Sequence, residues 1–174
     1  MGMNDMRSQL KKAGYNSNSR PVRNNNFNNT SAFKAPLDYD VVGDAEKVIN
    51  NLEKDKYGKI ALTTSQVRKF LTAINVVRNK VDLYIAQNKE TKELSSELVA
   101  EVKFLKVNLL YQAGRINTVK QFMNTANLGN IIDNVGNDTK KFQKLCKYVE
   151  ALVAYHKFYG GKDKWWTRRE RKNR

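Results

Sequence analysis

The residue types that most often attack a substrate or activate water are scarce, since the chain has one histidine, His156, and one cysteine, Cys146. His156 continues an apolar helical stripe with Phe142, Leu145 and Val149, so we interpret it as a packed or partner-facing residue rather than a general base. Cys146 lies beside Leu145, and buried cysteine usually behaves as a small hydrophobic residue. A single cysteine provides no CxxC metal motif. We therefore expect no catalytic residue, no metal site and no cofactor.

Basic residues are the stronger candidates for a binding role. Arg68 and Lys69 lie in the first turn of a helix that is predicted to begin after Thr63. A helix N-terminus carries free N–H groups and a partial positive charge, which suits a phosphate. Cations there cost up to about 1 kcal/mol, a penalty that a polyanion would remove. A solvated charged face explains the same residues equally well.

Four further cations complete the set of candidate phosphate-binding residues. Arg115 follows Gly114, and it either projects from a turn toward a polyanion or binds the carbonyl groups at the end of its helix. Arg78, Lys120 and Lys141 are candidates on charge and helix placement only. Lys141 belongs to a basic ridge on the last helix, and such ridges are usually solvated faces.

The charge balance indicates the class of partner. The chain has 32 Lys and Arg against 17 Asp and Glu, a formal net charge of +15. Such an excess points to polyanions, with nucleic acid ahead of a membrane surface. No apolar run approaches the roughly 18 residues of a membrane helix, and no secretory signal is visible. We therefore expect a cytoplasmic protein with no membrane partner.

Composition divides the chain into three parts, each with a net charge of +5. Residues 1–37 are rich in asparagine and poor in aliphatic residues, which predicts a disordered basic arm. Residues 38–161 are predicted to form the folded unit. Residues 162–174 form a basic tail around Trp165 and Trp166, which suits base stacking or docking on a neighbouring subunit.

The folded unit is predicted to be all-α, a single bundle of about five helices, because its apolar residues follow a helical period. The predicted helices begin at residue 40 or 43 (ending near 56, before Gly58), at a capping box at Thr63, near Ser95, at Asn117 and at Asp138. Gly114 is predicted to end the third helix in a left-handed conformation. A loop is predicted around Gly129 and Gly136, and Gly160–Gly161 is expected to stop the last helix.

Three strings in this order carry a family resemblance. They are Leu62-Thr63-Thr64-Ser65-Gln66-Val67-Arg68, Tyr111-Gln112-Ala113-Gly114-Arg115, and Tyr148-Val149-Glu150-Ala151-Leu152-Val153-Ala154-Tyr155-His156-Lys157-Phe158-Tyr159-Gly160-Gly161-Lys162-Asp163. They resemble the small subunit of type III-A CRISPR effector complexes, over about residues 40–163. The arm and the tail depart from this family core.

The resemblance implies a non-catalytic helical protein that stacks in a short filament along a guide–target RNA duplex and contacts its backbone without reading sequence. Its implied partners are guide RNA, target RNA, copies of itself, and the backbone and large subunits, which carry the cleavage chemistry. By matching motif, Arg68 and Arg115 are the candidates that the family supports.

Two other functions are weighed against this one. A helix-turn-helix DNA regulator needs two helices joined by a turn of about three or four residues, and only the connection from Gly114 to Asn117 fits. Its second helix would offer Lys120, Gln121 and Asn124 to bases. An RNA-processing nuclease is disfavoured, because one histidine without a carboxylate cluster leaves nothing to activate water.

Overall fold

The computed structural model describes residues 33–88 and 91–161, and these residues form a helical bundle. Its helices are α1 (Gly43–Asn50), α2 (Thr64–Gln87), α3 (Ser96–Arg115), α4 (Asn117–Thr125), α5 (Leu128–Val135) and α6 (Thr139–Phe158). Within these described ranges the only extended pairings are two isolated bridges, Lys54 with Ile60 and Glu93 with Asp138. The all-α prediction is confirmed, with six helices in the described part instead of about five.

The starts of the long helices follow from local side-chain caps. The Thr63 hydroxyl accepts a hydrogen bond from the Gln66 amide at 3.3 Å, and the Gln66 side chain accepts one from the Thr63 amide at 2.8 Å. This is the predicted capping box. Ser95 caps α3 through the Leu98 amide. Asp138 caps α6 by accepting hydrogen bonds from the Lys140 and Lys141 amides at 2.7 and 3.1 Å.

Helix α6 is the centre of the bundle, packing against α1, α2 and α5, while α3 packs against α2, α4 and α5. The core stripes of the three long helices are buried. They comprise Val67, Phe70, Ile74, Val77 and Val81 of α2; Leu98, Val102, Leu105 and Leu109 of α3; and Phe142, Leu145, Tyr148, Val149 and Leu152 of α6. Stripes at intervals of three and four place these side chains on one face of each helix.

The first helix is shorter than predicted, since α1 ends at Asn50 and not near Lys56. Residues 53–61 form a tight hairpin instead. Asp55 accepts hydrogen bonds from two nearby amides, and Gly58 adopts a left-handed φ of 74°. These local bonds compete with continuation of the helix. Gly58 therefore serves the hairpin turn and not a helix end.

The junction of α3 and α4 also differs from the prediction. Gly114 is not a left-handed cap, because α3 continues through Arg115 and Ile116 still donates to the Gln112 carbonyl at 3.0 Å. Asn117 is the first residue of α4 and makes no capping hydrogen bond. The extended backbone of Ile116 turns the chain at this point.

The predicted loop around Gly129 is helix α5. Its buried residues are Leu128, Gly129, Ile131, Ile132 and Val135. Their spacing is helical, and the two glycines obscured it. The left-handed backbone of Asn127, with φ 52°, starts the helix.

The described chain before residue 38 packs on the bundle. Ala35 is buried, its amide donates to the Thr125 carbonyl at 2.8 Å, and its own carbonyl accepts from the Asn127 side chain at 2.9 Å. Residues 33–37, which the composition placed in the arm, are thus part of the packed unit. The rest of the predicted arm and the whole predicted tail lie outside the described residues.

Candidate nucleic-acid interface

The three strings that carry the family resemblance meet at one end of the bundle. The His156 Nε2 atom lies 2.9 Å from the Leu62 carbonyl oxygen, and the Thr64 hydroxyl donates to the Gly161 carbonyl at 3.4 Å. The Thr118 hydroxyl, three residues beyond Arg115, donates to the Gln66 side chain at 3.5 Å. We call this region the motif end, formed by the beginning of α2, the end of α3, the beginning of α4 and the end of α6.

Four of the six predicted RNA-binding residues lie at the motif end. Arg68 and Lys69 are exposed in the first turns of α2, off the buried stripe. Arg115 is exposed at the last residue of α3, and Lys120 is exposed near the start of α4. None of the four forms an ion pair with the residues that the structure describes.

Arg115 has an aromatic neighbour that the sequence analysis did not assign. The guanidinium carbon of Arg115 lies 5.6 Å from the centroid of the Tyr111 ring, and its Nη1 donates to the Tyr111 hydroxyl at 3.4 Å. A cation at the end of a helix is favourable because of the partial negative charge there. Arg115 is therefore held in place on the helix and keeps its charge toward solvent.

The other two predicted residues lie away from the motif end. Arg78 forms ion pairs with Glu150 of α6 and, at 3.7 Å, with Asp82. Lys141 lies in the first turn of α6, 15 residues before His156. A rise of 1.5 Å per residue places it about 22 Å along the helix from that residue. The six cations therefore form no single cluster.

Two features of the surface were missed by the sequence analysis. The hairpin at residues 53–61 presents an exposed Tyr57 among lysines and joins the motif end, because the Glu53 amide donates to the Gln121 side chain at 3.2 Å. Asp at the first position of a turn and Gly at the fourth, as in Asp55 and Gly58, is the signal that predicts it.

The second feature is an apolar surface on α2 and α3. The side chains that form it are Val76, Leu83, Phe104, Val107 and Tyr111, each more than half exposed. Helical spacing puts them on the solvent side of the two helices, the side on which Lys80 pairs with Glu101. We call this surface the outer face. Patches of this kind commonly contact other proteins.

The residues with catalytic potential are packed. His156 is fully buried and bound to Leu62, and Cys146 is buried, which raises the pKa of its thiol to about 12. Within residues 33–88 and 91–161, no group of three His, Cys, Asp or Glu could hold a metal ion. None of the helices seen in those ranges is long and apolar enough to cross a membrane.

Comparison with known proteins decides the family. A profile of the family described as Csm2 Type III-A matches residues 23–162. This chain belongs to the Csm2 family, the small subunit of type III-A CRISPR complexes.

Relatives described as "CRISPR system Cms protein Csm2" support the assignment. The Streptococcus thermophilus protein is 40% identical over 126 residues, which cover 72% of this chain and 96% of the relative. The Mycobacterium tuberculosis protein (strain CDC 1551 / Oshkosh) is 35% identical over 72% of this chain and 95% of its own. The Enterococcus italicus protein is 38% identical over 66% of this chain and 86% of its own. The resemblance seen in the three strings is confirmed at the level of the family.

Proposed function

We propose that this Csm2-family chain is a non-catalytic subunit that binds the guide–target RNA duplex through phosphate contacts at the motif end. The observation that carries the proposal is the location of the exposed Arg68, Lys69, Arg115 and Lys120 on the helix ends that form this region, without ion pairs to the described residues. Unpaired cations on rigid helices suit backbone contacts, which need charge and shape and no pocket. Guide-directed systems leave sequence reading to base pairing.

The proposal assigns a smaller share of RNA binding to Arg78 and Lys141. Arg78 is engaged by two carboxylates, and an ion pair weakens its attraction for a phosphate. Lys141 lies at the opposite end of α6, so it would contact a separate stretch of RNA. Both remain candidates for a second contact along a duplex longer than one bundle.

The outer face is proposed as the contact with protein neighbours in the assembly. Copies of the same chain, the backbone subunits and the large subunit are the proposed neighbours, with guide RNA and target RNA as the nucleic-acid partners. Burying the five exposed apolar side chains would contribute roughly 25 cal/mol for each Å² removed from water. Cleavage chemistry belongs to other subunits in this proposal, and the complex is cytoplasmic, with no membrane partner.

The helix-turn-helix alternative has less support. Ile116 alone joins α3 and α4, which is shorter than the turn of that motif. Gln121, one of the residues that would read bases, accepts a hydrogen bond from the Glu53 amide. A strong preference for duplex DNA over RNA would favour the alternative nonetheless.

A salt titration of RNA binding tests the proposal. With a labelled single-stranded RNA of about 40 nucleotides, each phosphate contact contributes about −0.7 to the slope of log affinity against log salt. We expect sequence-independent binding with a slope of about −2 to −4, and intact RNA on a denaturing gel. Arg68→Ala should flatten the slope by about 0.7, and Arg78→Ala, the matched control, by less.

Two outcomes would contradict the proposal. If neither Arg68→Ala nor Arg115→Ala changes the salt slope, the RNA does not bind at the motif end. RNA cleavage that a single substitution in this chain abolishes would overturn the non-catalytic assignment.

A further inference from the structure

The hairpin at residues 53–61, here called the Tyr57 hairpin, is a rigid projection beside the motif end. The Ala61 amide donates to the Glu53 carbonyl at 2.8 Å, and the Asp55 amide donates to the Lys59 carbonyl at 2.7 Å. The Gly58 amide closes the turn on the Asp55 carbonyl at 2.9 Å. These bonds run across the hairpin, so its two arms are held together.

The tip and the base of the Tyr57 hairpin are fixed as well. One Asp55 carboxylate oxygen accepts from the Tyr57 and Lys59 amides, both at 2.9 Å. At the base, Ile60 of the hairpin and the flanking residues Leu52 and Leu62 are buried in the core. The backbone that carries Tyr57 is therefore ordered before any ligand arrives, which lowers the entropic cost of binding.

The tip presents an aromatic ring to water between cations. Tyr57 is 59% exposed, and the Lys56 ammonium lies 4.9 Å from its ring centroid. Lys54 and Lys56 are exposed and form no ion pair with residues of the described ranges. An exposed aromatic ring flanked by cations is how proteins hold unpaired nucleotides, by stacking on the base and attracting the phosphates.

Charge alone would make the Tyr57 hairpin a weak RNA site. Glu53 and Asp55 offset two of its three lysines, so residues 53–59 carry a net charge of only +1. The attraction that the ring offers is therefore stacking, which depends little on salt. The salt dependence of RNA binding therefore distinguishes the hairpin from the motif-end cations, whose contribution is electrostatic and strongly salt-dependent.

We propose that Tyr57 is a stacking platform for an unpaired RNA base, with Lys54 and Lys56 near the phosphates on either side of it. A base inside a continuous duplex has no free face, so the ligand is a single-stranded or bulged nucleotide. The inference rests on the proposed function, because the motif end brings the RNA to the hairpin. It adds recognition of an unpaired base to contacts with the backbone.

The test compares two RNA duplexes in binding to the full chain. One carries a bulged 2-aminopurine, and the other is continuous with the same strand length. We expect the bulged duplex to bind at least about fivefold tighter, since stacking on one base contributes about 1–3 kcal/mol. The fluorescence of the 2-aminopurine should change on binding, because stacking alters its emission.

Variants then identify the residue. Tyr57→Ala should remove both the fivefold preference and the fluorescence change while leaving the salt slope unaltered. Tyr57→Phe should keep both, because it retains the ring. Phe104→Ala, which removes an aromatic ring of the same exposed fraction (59%) on the outer face of α3, is the matched control and should change neither. Circular dichroism checks that each variant is folded.

The outcomes separate this inference from the proposed function. Equal binding of the two duplexes, with a salt slope that Arg68→Ala still flattens, overturns the stacking platform and leaves the backbone contacts standing. No binding of either duplex at low salt overturns both. If Tyr57→Ala leaves RNA binding intact but prevents assembly with the other subunits, the ring contacts protein, and the inference is wrong.

Discussion

The imidazole of His156 joins the two ends of the family-like sequence, since its Nε2 atom lies 2.9 Å from the carbonyl oxygen of Leu62. A carbonyl oxygen accepts, so the ring donates through Nε2. The bond links the last turn of α6 to the residue just before the capping box of α2. Helix α2 begins at this junction and carries Arg68 in its first turns, so the histidine holds in place the helix end on which Arg68 lies.

Truncating this histidine should destabilise the fold. His156→Ala removes a fully buried ring and leaves the buried Leu62 carbonyl without its donor, which we expect to cost about 2–4 kcal/mol. Urea denaturation followed by circular dichroism measures the loss. Lys147→Ala, an exposed change in the same helix, should stay within about 0.5 kcal/mol. If the two variants unfold at the same urea concentration, the hydrogen bond between His156 and Leu62 does not stabilise the fold.

Two glycines should respond to alanine in opposite directions. At Gly161 a Cβ would lie 2.0 Å from the His156 ring, so the ring or the backbone must shift. At Gly114, inside α3, a Cβ meets nothing within 4 Å. We expect Gly114→Ala to stabilise by up to about 1 kcal/mol, because alanine favours the helix. Gly161→Ala should destabilise the fold. Thermal melts of both variants show whether each melting temperature lies above or below that of the wild type.

The ion pair between Arg78 and Glu150 should limit RNA binding at this position. Glu150→Gln removes one of the two carboxylates, so Arg78 keeps only its longer contact with Asp82 and the local negative charge falls. We expect tighter RNA binding and a slope steeper by up to about 0.7 on single strands. The cost in stability should be below about 1 kcal/mol, because both side chains are partly exposed. Glu97→Gln, an exposed change of the same charge on α3, is the control. If Glu150→Gln binds RNA as tightly as the wild type, Arg78 is not part of the RNA interface.

Alkaline pH should destabilise the protein through buried acids. Desolvation raises the pKa of the Cys146 thiol from 9.0 to about 12, and burial raises the pKa of Tyr39 and Tyr148 as well. Groups whose pKa is higher in the folded state stabilise it while they remain protonated. Their contribution is complete below the unfolded pKa, near 9 for the thiol, and is lost as pH rises toward 12.

Denaturation at pH 8 and at pH 10.5 measures this loss. Cys146→Ala should lose less stability between the two pH values than the wild type, although its stability at pH 8 is lower. Thiol labelling of the folded wild type should be slow at both values, because Cys146 is buried. Rapid labelling at pH 8 would contradict the assignment of a packed, protonated thiol.

Local sequence predicted the helix starts well and the short elements poorly. The capping box at Thr63 and the cap at Asp138 depend on residues within one turn, so their types and spacing reveal them. Helix α5 was missed because it is short and contains glycine, which weakens the helical period. The hairpin was missed because residues 53–56 were predicted to belong to the first helix. In α5, burial by neighbouring helices overrides the low helix propensity of Gly129.

The candidate interface was predicted only in part for a similar reason. Arg68, Lys69, Arg115 and Lys120 were identified by charge and helix position, and packing then brings their helix ends together. Arg78 looked equivalent on the same grounds. Its carboxylate partner Glu150 lies 72 residues further along the chain, and nothing local signals that pairing.

The composition and short-range patterns of the sequence were sufficient to establish the net charge and the scarcity of catalytic side chains. They were also sufficient to predict the helical class and to identify the strings that resemble the family. Such features depend on residue types and on hydrogen bonds within a turn. The meeting of the three strings, the burial of His156 against Leu62, the exposure of Tyr57 and the pairing of Arg78 were decided by the tertiary structure. They depend on how α2, α3 and α6 pack, and packing joins residues whose separation along the chain carries no local signal.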